Sequence, residues 1–492
     1  MILTKSDFLL YLDAPLHLWA KINHRQDTRE FSAFDQHLAR QGYQVERLAK
    51  KFLKQHIEQN YNQAELDFQA VLKSGSYQSR IDALVYDQQD QVYDLFEIKS
   101  SNRIKKEHKY DVTFQYLVAK GCDKPVRNIY LVYINKDYKK QCQLDLNQFF
   151  LVKDMAKTVS KYEDEVFQER SKALKILSLT EDEINLDVDL DLNCHKPNEC
   201  PCLSICHPNL SDYPIYDLAR GTRRKFNKLK QRQVARVDQI PADFNLTGKQ
   251  RLQVKSAKNQ EPIIDQEAIK KELDSLQYPL YFLDYETFNP AMPIFDNYKP
   301  YQQITFQYSL HVLNKPTNQL SGLPADEEFE HFEFLFTEQS DPGYELVKSL
   351  TENIGNQGSI IVWKKGFECG RNEELAELQP QFAHKLLDIN NRVYDLMEIF
   401  SKGLYVDYHF HGSASIKKVL PVLVPELSYS GMEIGEGATA MIRWFELVYG
   451  DGQGNLLSQE ERNQIANNLL KYCELDTWAM VRIWERLREK VR

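Results

Sequence analysis

Apolar positions in the first third of the chain switch between two spacings, and each spacing predicts an element. GYQVERLAKKFLKQ, ending at Gln55, has its apolar residues at helical intervals. LDFQAVLKS, SRIDALVYD and VYDLFEIKS follow as strand-like runs, with SGSY and DQQD supplying turns between them. EHKYDVTFQYLVAK (107–120) predicts a helix, and NIYLVYIN a further strand. Residues 151–190 read as helical and acidic, and 235–275 as a connector containing Pro241 and Pro262. A second patterned region opens at Tyr278–Pro279 with the strand YPLYFLDYETF. It closes in a long helix started by Ser458 and Glu461 in S-x-x-E arrangement and running to about Arg488. PYQQITFQYSLH predicts the next strand with its turn, and His311 in it reads as a satisfied strand histidine rather than a ligand. Alternating elements over 492 residues predict an α/β protein of more than one domain.

Composition narrows the class. Hydrophobic residues at 42% and aromatics at 12% are too rich for disorder. The net charge of −9 argues against passive coating of nucleic acid, although a local basic surface suffices for an enzyme that acts on it. No apolar run approaches a membrane span, and MILTKSDFLLYLDAPLHLW lacks a basic n-region with a cleavage site. A cytoplasmic protein without a membrane partner is therefore expected. Cys122, Cys142, Cys369 and Cys473 stand singly and read as buried, reduced thiols, whereas Cys194, Cys200, Cys202 and Cys206 crowd into CHKPNECPCLSIC. Four thiols so close in a reducing compartment point to a metal centre rather than disulfides.

Two constellations carry chemistry. In the first, Asp82 lies on one strand and Glu97 and Lys99 on the next, two apart and so on one face. A hairpin brings Asp82 to share a cation with Glu97. Hard oxygen donors suit Mg²⁺ or Mn²⁺, and Lys99 would orient a water or offset developing charge. Glu46 on the preceding helix is a further carboxylate candidate, and Gln115 on the following one could bond a metal-bound water or Lys99. In the second, Asp284 and Glu286 lie two apart on an apolar strand, and Tyr472 and Asp476 one turn apart on the last helix.

The order GYQVERLAKKF, SRIDALV, LFEIKSS, FQYLV resembles RecB-like PD-(D/E)XK nucleases, including the CRISPR-associated iron–sulfur exonucleases. With PYQQITFQYSLH, SIKKVLPVLVP and YCELDTWAM, nearly the whole chain resembles an uncharacterised bacterial family that joins such a nuclease to a C-terminal RNase H-like domain. The resemblance implies a restriction-endonuclease-like domain over 1–210 with the cysteine cluster at its end, a basic helical connector over 211–275, and a DEDD exonuclease-like domain over 276–492. Related nucleases bind a [4Fe–4S] cluster through three such cysteines and one near the N-terminus, where this chain has Ala14. Cys202 is the substitute fourth ligand, and Zn²⁺ the alternative metal. DEDD chemistry implies metal ligation by Asp284, Glu286 and Asp476, with Tyr472 orienting or deprotonating water. The middle motif departs: IIVWKKGFECGRN has Lys364 where an Asn is expected and Glu368 where an Asp is expected. Asp395 is the alternative third carboxylate, read as structural.

Arg220, Arg223, Arg224, Lys225 and Lys228 form a basic stretch that could track a phosphate backbone. GEGATAMIRW is Gly-rich but lacks the Lys-Ser/Thr of a P-loop. Without a motor signature, work on duplex DNA needs a helicase or other DNA-processing partner. The expectation is a metal-dependent nuclease with two heads, acting on DNA with single-stranded or frayed ends. Its rivals are one active head beside a non-catalytic binding platform, and an RNA-processing exonuclease.

Overall fold

The computed structural model describes residues 1–27, 32–184, 200–207, 209–315, 328–451 and 455–492. The chain divides into two compact α/β units: Met1–Leu210 with Pro290–Gln302, and Ser211–Asn289 with Gln303–Arg492. Among the described residues, no helix is long and apolar enough to cross a membrane.

The first unit is a mixed sheet of β1 (Leu3–Thr4), β2 (Ala64–Ser74), β3 (Tyr77–Asp87), β4 (Val92–Lys99), β5 (Val126–Ile134) and β6 (Phe150–Asp154). Its helices are α1 (Lys5–Asp13), α2 (Pro15–Ile22), α3 (Ala33–Asn60), α4 (Lys106–Lys120), α5 (Leu146–Phe149), α6 (Ala156–Ile176) and α7 (Leu203–Cys206). Strand alternation splits the apolar residues between two cores. Leu84 and Leu95 pack with Phe8 of α1 and Phe114 of α4, whereas Ala83, Val85 and Phe96 pack with Val45, Ala49 and Phe52 of α3. The segment Pro290–Gln302 completes the second core: Ala291, Met292 and Tyr301 pack into it, and the Ala291 N–H donates to Gln41 Oε1 at 2.8 Å.

The second unit is built on β8 (Leu280–Phe288), β9 (Ile304–Leu313), β10 (Phe329–Leu335), β11 (Ser359–Val362) and β12 (Val393–Asp395), in the order β10-β9-β8-β11-β12. The first three strands are antiparallel, and β11 and β12 run parallel to β8. A small separate ribbon pairs β7 (Ile263–Ile264) with β13 (Tyr405–Val406). Every residue of β9 is buried, because helices cover both faces of the sheet. On one face lie α11 (Gly343–Asn353), α12 (Lys365–Leu378) and α13 (Ala383–Asn391). On the other lie α10 (Gln266–Asp274), α14 (Glu398–Ser401), α15 (Ile416–Leu423) and α17 (Gln459–Lys490), and α16 (Gly437–Tyr449) packs beside α17. The capping box read from sequence starts α17: Ser458 accepts from the Glu461 N–H, and Glu461 accepts in return. The stretch read as a connector is ordered. Its α8 (Arg223–Gln231) and α9 (Gly248–Asn259) enclose an apolar core of their own, including Phe226, Leu229 and Val254.

Candidate active sites

In the first unit the site forms where a sheet edge opens. β3 and β4 pair from Asp87–Val92 to Ala83–Phe96 and then part, and β1 takes over that edge of β3 only at Tyr77 and Gln78. Asp82 sits in the gap, and its Oδ2 accepts from the Ile98 backbone N–H at 2.8 Å, standing in for a ladder carbonyl. On the opposite edge the β2–β3 ladder skips a pair at Gln69, whose φ is +62°. That left-handed backbone accompanies a bridging amide. Gln69 Nε2 donates to Glu46 Oε1 at 3.0 Å and to Asp82 Oδ1 at 3.3 Å, while Arg80 donates to its oxygen at 2.8 Å.

Glu97, 1% exposed, is held by three donors: Lys5 at 2.9 Å, Lys99 at 2.6 Å and Gln115 Nε2 at 2.6 Å. Lys99 and Gln115 also reach Asp111, at 2.6 and 2.7 Å. Burial would raise the Glu97 carboxyl, but Lys99 and Lys5 outweigh it and hold the group well below its usual range. Asp82 has no such partner at contact distance. Burial, and next the Glu97 charge, push it up to about 7. Gln115 Oε1 is buried and without a hydrogen-bond partner among the described residues, an acceptor suited to a metal-bound water. Gln69 thus bridges Asp82 and Glu46; Glu97, Lys99 and Gln115 share a second network; and the two meet through the Glu97 charge acting on Asp82. Lys5, Gln69 and Asp111 belong to these networks and were missed. Asp111 precedes Gln115 by one helical turn, a spacing that could have found it, whereas no local pattern points to Lys5 or Gln69.

The second unit assembles carboxyls with far less compensation. Asp284 and Glu286 face Ser309 and Gln307 across the β8–β9 ladder, and α17 brings Asp476 over the same face. Carboxylate oxygens of Asp284, Glu286 and Asp476 lie within 4.8 Å of one another. Glu368 of α12 is fully buried; burial, and next the Asp284 charge, push its carboxyl well above the usual range, and its Oε2 has no partner among the described residues. Burial and then mutual repulsion push Asp284 and Glu286 well above the usual carboxylate range. Burial lifts Asp476 to about 6, against hydrogen bonds from Tyr429 and Tyr472 that favour its ionised form. The Tyr429 hydroxyl donates to Asp476 at 2.5 Å; it lies in a loop and no spacing announces it. Lys417, whose Nζ is bonded to the Gly435 carbonyl at 2.9 Å, acts on Glu286 and Asp476, and Arg371 acts on Glu368. Asp395 does other work, accepting the backbone N–H groups of Lys364, Lys365 and Met397 at 3.0, 2.9 and 3.1 Å. It thereby fixes the turn into α12, where Lys364 has φ +92°.

Cys194 lies outside the described residues. Cys202 is buried against Leu16, Trp19 and Ala20 of α2, with Cys200 and Cys206 beside it. The neighbouring Cys200, then burial, hold the Cys202 thiol far above its usual range. Ala14 offers no donor, but His17, three residues on, puts Nε2 3.4 Å from Cys200 Sγ, and its Nδ1 is 2.8 Å from Asp13. His17 was not among the expected residues. In the basic stretch, Phe226 and Leu229 turn inward, so Arg220, Arg223, Arg224 and Lys228 lie on an exposed face. Lys225 instead turns in part to Gln250, and Arg232 pairs with Asp243 at 2.9 Å.

Residues 281–415, which include Asp284, Glu286 and Glu368 but neither Tyr472 nor Asp476, match the family model described as a domain of unknown function, DUF2779. The chain is 28% identical over 225 residues to the uncharacterized protein MG366 of Mycoplasma genitalium, covering 44% of this chain and 32% of that protein. It is 28% identical over 219 residues to the MG366 homolog of Mycoplasma pneumoniae, covering 41% of this chain and 31% of that protein. The match thus spans about a third of the length of these curated relatives. No solved structure matches the chain.

Proposed function

We propose that the chain is a metal-dependent nuclease, hydrolysing phosphodiester bonds of DNA with single-stranded or frayed ends. In this reading the first unit is a PD-(D/E)XK-type head and the second a DEDD, RNase H-like head. The observation that carries it is the convergence of Asp284, Glu286 and Asp476 to within 4.8 Å. Buried carboxyls persist together at such cost where a cation compensates them. An all-oxygen donor set fits Mg²⁺ or Mn²⁺, which when bound supplies Lewis-acid stabilisation of the phosphoryl oxygens. Tyr472, one helical turn before Asp476 on α17, would orient the attacking water. In the first unit Asp82 and Glu97 would hold the cation, Gln115 Oε1 would accept from water, and Lys99 would offset charge on the phosphate. The exposed arginines of α8 are candidates for backbone binding, and the cysteines with His17 for a structural iron–sulfur or zinc centre.

One observation favours a single active head: the second unit has Lys364 where the DEDD pattern has an Asn and Glu368 where it has an Asp. The second unit is then a platform. End-labelled single-stranded DNA and RNA, incubated in Mn²⁺ with wild type, Lys99→Ala and Asp284→Ala, tests both readings. Two heads predict that each variant removes a distinct part of the product ladder. Loss with Lys99→Ala alone leaves one head, and a wild-type ladder from the double variant ends the nuclease reading.

A further inference from the structure

A second cluster in the second unit uses none of the acidic residues above. His311 of β9 and His331 of β10 are register partners, with ring centroids 4.4 Å apart. Glu474 reaches them from α17, its carboxylate 3.9 Å from His331 Nδ1, and one ligand atom from each of the three lies within 4.8 Å of the others. Behind the rings is a chain of hydroxyls. His331 Nε2 meets Ser309 Oγ at 3.0 Å, Ser309 Oγ meets Thr477 Oγ1 at 2.8 Å, and His311 Nδ1 meets Thr477 Oγ1 at 2.9 Å. Thr477 Oγ1 also lies 3.0 Å from the Glu474 carbonyl.

That carbonyl has no proton to give, so it fixes the direction of the whole chain. Thr477 donates to it, Ser309 donates to Thr477, and each imidazole donates its one proton to a hydroxyl. Neutral His331 is thereby left with a lone pair on Nδ1 facing a carboxylate, an arrangement that repels unless a metal cation or a proton lies between. Neutral His311 likewise keeps a lone pair on Nε2. Metal-bound histidines are oriented in this way, the far nitrogen held by an outer partner so that the near one is free to ligate. His311 is 5% exposed whereas the Glu474 side chain is 49% exposed, so the site opens toward solvent on the carboxylate side.

We propose that His311, His331 and Glu474 form a divalent-cation site of the zinc class, distinct from the acidic group, with a further coordination position open to solvent. Two imidazoles and one carboxylate suit Zn²⁺ and not Mg²⁺. A cation there would pin the β9–β10 pair to α17, the helix that carries Tyr472 and Asp476, and so tie the register of that helix to metal supply.

The test is a Zn²⁺ titration of the full chain, stripped by chelator, in competition with a chromophoric chelator. It compares wild type with His331→Gln, Glu474→Gln and Asp284→Asn. His331→Gln and Glu474→Gln are each expected to bind one equivalent fewer than wild type, and Asp284→Asn to keep that equivalent. Glu474 lies half exposed on a helix surface, so Glu474→Gln folds even if His331→Gln does not. Zn²⁺ should raise the melting temperature of wild type more than that of Glu474→Gln. Equal Zn²⁺ equivalents in wild type and Glu474→Gln, with equal melting shifts, overturn the proposal and leave a protonated His331 paired with Glu474. The outcome is independent of whether either head cleaves nucleic acid.

Discussion

The two acidic sites solve the same electrostatic problem in opposite ways. In the first unit, Glu97 and Asp111 are matched by Lys5 and Lys99, so the buried charges neutralise one another within the fold. In the second, Asp284, Glu286, Glu368 and Asp476 face mainly each other and two tyrosines, and burial pushes their carboxyls above the usual range. A site that carries its own cations is stable before any ligand arrives. One that lacks them is built at the expense of stability and gains most from a cation.

The largest expected effect tests that contrast through its sign. Glu97→Gln leaves Lys5 and Lys99 short of a buried partner and should destabilise the first unit by about 3 kcal/mol. Asp284→Asn relieves repulsion and should stabilise the metal-free second unit by about 1 kcal/mol. Urea unfolding of both variants checks this, and a stability loss for Asp284→Asn would break the comparison.

Metal affinity comes next. Asp82 is protonated below about 7, so Mn²⁺ binding in the first unit should weaken about tenfold for each pH unit below that. The second unit must lose more than one proton, and its dependence should be steeper. Calorimetry in buffers of different ionisation enthalpy counts the protons released, and equal counts for the two sites would erase the difference.

Metal-free stability should follow with a fixed sign. Carboxyls raised in the folded state favour folding most below their unfolded values, near 4. That contribution is lost as pH rises through about 6 for Asp476 and about 7 for Asp82. The urea midpoint of wild type in chelator should therefore fall between about pH 4 and 7 from these groups, and less so in Asp284→Asn. The smallest effect is Ser458→Ala, which removes one capping bond at the start of α17 and should cost about 1 kcal/mol. Because Asp476 lies several turns beyond that cap, Mn²⁺ affinity should not move, and a changed affinity would show that fraying reaches the site.

Much of this was legible because it is periodic. Alternation in SRIDALVYD and VYDLFEIKS announced the strands that present Asp82 and Glu97, and the S-x-x-E signal announced α17. Residues two apart on a strand or a turn apart on a helix could be paired on paper. What sequence concealed are partners that meet only after folding: Lys5 from the first turn of α1, Gln69 at an irregularity of β2, Tyr429 from a loop. His17 was hidden for another reason: it stands three residues beyond Ala14, outside the spacing of the cysteine pattern, and meets Cys200 only in the fold. Residues 211–275 read as a linker because Pro and basic residues dominate the pattern, yet Phe226, Leu229 and Val254 are enough to found a core.

The segment Pro290–Gln302 leaves the second unit's sheet after β8, packs into the first unit's core, and returns to form β9. Gene order and spatial order therefore disagree, and the halves are not separable modules. A fragment ending at Leu210 would expose the apolar patch that Ala291, Met292 and Tyr301 fill, while one beginning at Ser211 would carry those residues with nothing to bury them. Recombination at that boundary should yield insoluble halves, so inheritance of the two units is tied together by thirteen residues of borrowed core.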